Sequence, residues 1–314
     1  MSRFAKRLKN NSIFATIRIL IFLHGLLPRR VGHMLFSFMG ALVFCFPHRE
    51  KRRTIEHLTV AFGDSWTHKK IRSTARRVYS DLGINFFDAL YFARNWEQRL
   101  PKYVRCDDLS AFKEAYDRGK GIMAITAHCG CFEMLLHYFA LQGFNCFAIG
   151  SRLYDKRLDA LVGRLRSGRN IQYVHRSGNL RALLKLIRQG MVMGALIDQD
   201  THVDGVFAHF MGKLAYTPSS AVKMAMRYDI PLFVVTTARY NDGTHGIFVN
   251  KELKLHVTGN EEEDLVRALE TINSEINATI TRYPSQWVWM HRRWRRKIID
   301  PTYSGCPSIE RYES

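Results

Sequence analysis

Acidic residues are scarce in this 314-residue chain, with 28 Asp and Glu against 47 Lys and Arg. The resulting formal charge of +19 points to anionic partners: nucleic acid, a membrane surface or acidic proteins. Glycine and proline are also few, 21 and 8 in no regular period, which excludes a collagen-like or low-complexity chain. The six cysteines are scattered and form no CxxC pair. Neither a disulfide scaffold nor a structural zinc site is therefore expected, and the chain fits a reducing compartment. Internal repeats are lacking too. What the chain has in quantity is apolar residues, 46%, enough to exclude disorder and to bury a sizeable core at this length.

Apolar runs of clearly membrane-crossing length are scarce as well. Residues 13–27 read IFATIRILIFLHGLL, interrupted by Arg18, and residues 31–47 read VGHMLFSFMGALVFCFP. A transmembrane helix needs about 20 apolar residues, so each run is marginal. Neither ends in the small residues of a signal-peptide cleavage site, so no exported form is expected. Lys and Arg lie before the first run, between the two (Arg29, Arg30) and after the second (Arg49, Lys51, Arg52, Arg53), and every flank favours the cytoplasm. The pattern predicts helices lying in or dipping into the inner leaflet. One short N-terminal span, or two helices buried in a soluble core, are the alternatives.

From 67 to 100 the positions Val78, Leu82, Ile84, Phe87 and Leu90 recur at roughly helical spacing. Beyond them, short apolar runs alternate with helical patterns. IMAIT at 122–126 precedes a helix over 131–141, NCFAI at 145–149 one over 155–166, IQYV at 171–174 one over 180–188, and VMGALI at 192–197 one over 218–227. Strands follow at 232–237 and 247–250, and a long amphipathic helix at 261–282. This alternation predicts an α/β fold with its sheet covered by helices on both faces. Residues 1–60 are expected to form a membrane-associated segment, 61–300 the α/β domain and 301–314 a tail.

In such sheets the chemistry collects where strands end and helices begin. The first such place is Ala127-His128-Cys129-Gly130-Cys131-Phe132-Glu133. On one helix, residues five apart lie about 140° apart, so His128 and Glu133 cannot share a helical face. With His128 in the preceding turn, Glu133 in the first helical turn can reach back to the imidazole, fix its tautomer and leave the other nitrogen as a base. The competing reading is a capping histidine with a Glu favoured by the helix dipole. Cys129 and Cys131 suggest a thiol nucleophile beside His128, or small buried cysteines with raised pKa; the CxC spacing lacks a second ligand pair for zinc.

The second place holds Arg152 after Gly150-Ser151 and, a helix later, Gly163-Arg164-Leu165-Arg166, guanidinium forks suited to a phosphate or developing oxyanion, or else a solvated basic face. The third is Asp198-Gln199-Asp200, a carboxylate pair that holds an arginine, binds a hydroxyl or simply turns the chain. The fourth, 286–297, reads QWVWMHRRWRRK, with His291, Arg292 and Arg293 at its centre. Its aromatics suit base stacking, a lipid interface or packing on the core.

Together these motifs resemble the late acyltransferases of lipid A biosynthesis, the lauroyl/myristoyl transferase family of Gram-negative bacteria. The resemblance rests on HxxxxE at His128 and Glu133, GRLR at 163–166, DQD at 198–200, GVF…FMG…YTPS over 205–219 and WxWxHRR ending at Arg293. An upstream block, RRTIEHL at 52–58 followed by Phe62, is similar to the family's RR…NL…F pattern. His57 stands where the family usually has Asn, Trp294 where it usually has Phe, and the CGC inside HxxxxE is unusual; these departures bear on acyl-chain choice and on the donor.

The resemblance implies a mixed sheet flanked by helices, glycerolipid-acyltransferase-like, and transfer of a fatty acyl group from acyl carrier protein to a hydroxyl of an anionic lipid A precursor at the cytoplasmic face of the inner membrane. His128 is then the base, Glu133 holds its imidazole, Arg164 faces the oxyanion or a substrate phosphate, and Asp198 orients Arg164 or the acceptor. Arg152, Arg166, Asp200, His291, Arg292 and Arg293 are assigned to substrate binding. No metal and no cofactor are implied, and nucleic acid is not expected as a partner. A relative using an aminoacyl or acyl-CoA donor or another glycolipid, and a basic nucleic-acid-binding protein, are the alternatives.

Overall fold

The computed structural model of the chain describes residues 3–150, 153–175 and 180–296. It opens with helices α1 (Arg3–Leu26), α2 (Arg29–Cys45), α3 (Arg49–Phe62), α4 (His68–Ala93) and α5 (Trp96–Tyr103). Pro28, at the N-cap of α2, separates α1 from α2 because it lacks the N–H to continue the first and suits the start of the second. Phe46, held extended before Pro47, ends α2. The Thr67 side chain caps α4 by accepting the Lys70 N–H at 3.3 Å.

One face of α2 packs on α4. Gly40 and Gly83 let the backbones touch: a Cβ at Gly40 would sit 2.0 Å from the Tyr79 carbonyl oxygen, and one at Gly83 2.1 Å from that of Phe36. At the N-terminus of α2, the Arg29 guanidinium bonds both oxygens of Asp88 at 2.9 Å, while His33 Nε2 lies 2.7 Å from one and His245 Nε2 2.9 Å from the other. The Asp88 side chain is completely buried. The opposite face of α2 is apolar and exposed, Met34 by 74% and Phe38 by 65%, with Val31, Leu35, Met39 and Leu42 alongside. Among the described residues no single helix is long and apolar enough to cross a membrane; α2 and α3 together reach the length but meet at 93°.

The rest alternates strand and helix: β1 (Val104–Cys106), α6 (Ser110–Asp117), β2 (Ile122–Thr126), a 3-10 turn (Phe132–Met134) running into α7 (Leu135–Leu141), β3 (Cys146–Gly150), α8 (Lys156–Leu165), β4 (Ile171–His175), α9 (Leu180–Arg188), β5 (Val192–Leu196), the hairpin β6 (Gly205–Phe210) and β7 (Lys213–Pro218), α10 (Ser220–Tyr228), β8 (Leu232–Arg239), β9 (His245–Val249), α11 (Glu261–Arg282) and a 3-10 turn (Pro284–Gln286). Among the described residues seven strands form one sheet in the order β1-β9-β8-β2-β5-β3-β4. The block from β8 to β4 is parallel, and β9 and β1 run the other way. Helices cover both faces, α5 to α7 on one and α3, α10 and α11 on the other, so the central strands read as continuous apolar runs. The fold is thus the expected α/β with a mixed, mainly parallel sheet. The β6–β7 hairpin on α11 and the short β1 are additions that the sequence pattern did not predict.

Candidate active site

Adjacent parallel strands bring their carboxyl ends together. Thr126 of β2 pairs with Leu196 of β5, so the residues two further along each chain, His128 and Asp198, meet beyond the sheet edge. The His128 ring nitrogen Nδ1 lies 2.7 Å from Asp198 Oδ1, and the His128 backbone N–H donates to Oδ2 at 2.8 Å. Trp287 Nε1 donates to the same Oδ2 at 2.7 Å. A carboxylate only accepts, so Nδ1 carries the proton and Nε2 is the free base. Gly130 permits this turn: its φ is +57°, and a Cβ there would lie 2.5 Å from the Thr237 carbonyl oxygen.

Burial opposes charge on the imidazole, but the charge and hydrogen bond of Asp198 outweigh it, so the pKa of His128 is raised. Burial likewise pushes the Asp198 carboxyl up, and His128 together with the Trp287 N–H brings it down to about 2. Asp198 is 1% exposed and His128's side chain 22%. The pair is an oriented base with its carboxylate partner hidden and the imidazole side chain partly exposed.

Glu133, in the 3-10 turn, does not hold the imidazole. Its carboxylate takes the Arg166 guanidinium in a two-point grip, with Nε 2.8 Å from Oε2 and Nη2 closer still to Oε1. Of the expected contacts, Glu133 on His128 and Asp198 on Arg164 are therefore corrected: Asp198 holds the histidine because register places it there, and its other expected role, orienting the acceptor, is not decided by these contacts. Arg164 lies on the exposed face of α8, whereas Arg166, just past the end of the helix, turns inward to Glu133.

Beside His128 opens a cavity of about 430 Å³, within the range of small-molecule sites of about 300–1,000 Å³. It extends alongside β5 from Leu196 to Val192, about 13 Å at about 3.3 Å per residue. Its course is set by small residues: Ala148, Gly194 and Ala124 sit side by side across β3, β5 and β2, opposite Leu135, Leu136 and Phe139. The walls are mostly apolar, with His128, Glu133, Arg166, Thr126, Thr201 and Ser220 as the polar lining. The Thr126 hydroxyl is buried and has no hydrogen-bond partner among the described residues.

Other expected site residues do structural work. Arg293 is fully buried, donates to the Tyr216 carbonyl at 2.5 Å and Thr217 Oγ1 at 2.8 Å, and covers the Phe210 ring; burial brings its pKa down to about 10. Asp200 is buried with Arg296 Nε at 3.3 Å. Neither Arg293 nor Asp200 presents itself to a substrate. Arg292 is exposed, and His291 is half-buried near the His128–Asp198 pair with its pKa lowered to about 4 by burial. Arg152 and residues 301–314 lie outside the described residues.

Trp287 and Trp289 have no exposure, which corrects the base-stacking and lipid-interface readings of this segment. Cys129 and Cys131 are buried, and burial pushes the Cys129 thiol up to about 12 and that of Cys131 well above its ordinary value, so neither is an activated nucleophile. Among the described residues no group of three His, Cys, Asp or Glu side chains is placed to hold a metal ion. The role of Trp287 and the small-residue row escaped sequence reading, although the alternation of small residues on one face of the three strands was a usable signal.

A family model described as bacterial lipid A biosynthesis acyltransferase matches residues 1–296. The chain is 23% identical over 258 residues to a lipid A biosynthesis acyltransferase of Haemophilus influenzae, covering 79% of this chain and 72% of that protein. It is 23% identical over 280 residues to the lipid A biosynthesis palmitoleoyltransferase of Escherichia coli K12, covering 87% and 88% respectively.

Proposed function

The chain belongs to the bacterial lipid A biosynthesis acyltransferase family and is an acyltransferase, and we propose that it moves one fatty acyl chain from acyl carrier protein to a hydroxyl of a lipid A precursor at the cytoplasmic face of the inner membrane. The observation that carries this reading is an apolar cavity ending at a histidine with a free, oriented ring nitrogen. The acyl chain lies in the cavity with its thioester at the mouth. The acceptor oxygen attacks the carbonyl carbon as His128 Nε2 takes its proton, the C–S bond breaks, and the thiolate receives that proton, leaving an ester and a free thiol. Arg166, fixed by Glu133, and the unpartnered Thr126 hydroxyl supply donors to the oxyanion.

The charge of +19 favours an acidic carrier protein as donor and a phosphorylated acceptor. Residues 1–60 form the membrane-associated part of this reading and residues 61–300 the acyltransferase domain. The outer face of α2, apolar along its length and flanked by Arg30 and by Arg49 to Arg53, suits the interface of an anionic leaflet.

Mass spectrometry of a lipid A precursor incubated with acyl carrier protein bearing chains of several lengths tests the reaction. One acyl mass is gained with wild type. Leucine at Gly194 narrows the middle of the cavity and moves the preference to shorter chains, each excluded methylene costing about 0.8 kcal/mol, about fourfold in kcat/KM. An unchanged chain profile in Gly194→Leu removes the acyl chain from this cavity. No product from any carrier-bound chain, with product from acyl-CoA, reassigns the donor.

The pH profile separates the roles of the carboxylates. The base works unprotonated and its pKa is raised, so kcat/KM climbs with pH through a midpoint above 6.5. In Asp198→Asn the largest upward influence is gone and burial and Arg166 outweigh what Glu133 still adds, so the midpoint moves down. Glu133→Gln lowers the rate and moves the limb down by less than Asp198→Asn does, because Glu133 acts on the imidazole only through its charge while it grips Arg166. The reverse pattern would return Glu133 to the imidazole.

A further inference from the structure

The 3-10 turn that carries Gln286 serves two neighbours. Its backbone carbonyl accepts the Gly130 N–H of the histidine turn at 2.9 Å, and its side-chain amide bonds both backbone groups of Arg239 at 2.7 Å. On the side of Arg239 lies a second cavity, of about 500 Å³, sharing no lining residue with the first.

Its walls are charged. Arg77 and Asp81 come from one face of α4, Arg239 from the carboxyl end of β8, and Arg282 from the last turn of α11. Three guanidinium groups thus face one carboxylate, an excess of two positive charges in one hollow. Arg239 donates to Asp81 Oδ1 and its side chain is only 12% exposed, yet its Nε–H is buried without a hydrogen-bond partner among the described residues. Arg77 Nε stands 3.9 Å from the other Asp81 oxygen, too far for a hydrogen bond, and its side chain is exposed. Guanidinium forks with spare N–H groups match the paired oxygens of a phosphate.

We propose that this cavity is an anion site for a phosphate group, distinct from the acyl-transfer cavity, with Arg239 at its base and Arg77 and Arg282 closing over the oxygens. The phosphate comes from a lipid head group or from a soluble phosphate compound. The wall is tied to the membrane-facing part of the fold, because Arg29 of α2 donates to the Gly243 carbonyl in the turn that follows Tyr240.

The test uses full-length protein in an uncharged detergent and titrates inorganic phosphate by calorimetry, comparing wild type with the double variant Arg77→Gln/Arg282→Gln. Both side chains lie at the surface, so the fold persists, checked by an unchanged circular dichroism spectrum and melting midpoint. Saturable binding weakened at least tenfold, about 1.4 kcal/mol, supports the site. Equal affinity in the two proteins, or no saturable binding in wild type, overturns it. Flotation with vesicles of phosphatidylcholine alone, or of equal parts phosphatidylcholine and phosphatidylglycerol, then identifies the source. A smaller gain from phosphatidylglycerol in the double variant assigns a lipid head group, and an unchanged gain alongside weakened inorganic phosphate binding assigns a soluble phosphate compound. Because neither readout involves acyl transfer, failure here leaves the proposed reaction standing.

Discussion

Replacing His128 by alanine is expected to slow acyl transfer about a thousandfold, in the range that a positioned general base contributes. The fall should appear in kcat, because the cavity proposed for the acyl chain is lined mainly by residues of β2, β3, β5 and α7, which the substitution leaves in place. Asp198 retains two donors in this variant, the Trp287 N–H and the backbone N–H at 128, so the buried carboxylate is not stranded and the protein should still fold. Single-turnover mass spectrometry with a saturating carrier-bound donor separates the chemical step from binding. Wild-type turnover in His128→Ala would place the base elsewhere, and His291, half-buried beside the pair, would be the next residue to replace.

Asparagine at Asp88 should destabilise the protein by about 3–5 kcal/mol, the usual result of removing one partner from a buried ion pair. The Arg29 side chain is 8% exposed and would be left with its charge buried, and His33 and His245, which bond different oxygens of Asp88, would share the one amide oxygen that remains. Denaturant unfolding in detergent measures the loss, and proteolysis between α1 and α2 should accelerate as the start of α2 loosens. Replacing the pair together, Arg29→Met with Asp88→Leu, should recover much of the stability, because a matched apolar pair removes both charges. Equal losses in the single and double variants would mean that shape, not charge, holds the junction.

The same junction makes the fold sensitive to acid. Burial pushes the His245 pKa down, against the pull of Asp88, so folding favours the neutral ring. Its contribution is complete above about pH 6.5, the ordinary histidine value, and declines as pH falls below it. Asp88 is pushed up by burial but held well below the usual carboxylate range by its two histidines and Arg29, so its own contribution is present above about pH 4 and lost below.

The central strands were legible because parallel strands buried on both faces have no polar alternation to confuse them with loops. The turn after β2 was legible too, since Gly130 between two cysteines breaks any helix that would start at His128. What escaped depends on contacts distant in sequence. Asp198 finds His128 across 70 residues through strand register, which a single sequence does not print. Arg164 and Arg166 differ only in where helix α8 ends, one residue earlier than Arg166. The tryptophans of 287–289 stand among cations in the sequence, and only the packed fold shows that Trp287 turns away from those cations toward Asp198 and Trp289 toward the Pro284 carbonyl.

That last contact has a consequence for the order of events during synthesis. Ribosomes deliver about 5–20 residues per second, and domains begin to fold from the first residues made. The apolar helices α1 and α2 are made before the sheet, while Trp287, Gln286 and Arg293, which brace Asp198, Gly130 and the β7 strand, are made after all of its strands. His128 and Asp198 are therefore locked together only when this segment, made after all the strands, docks against them.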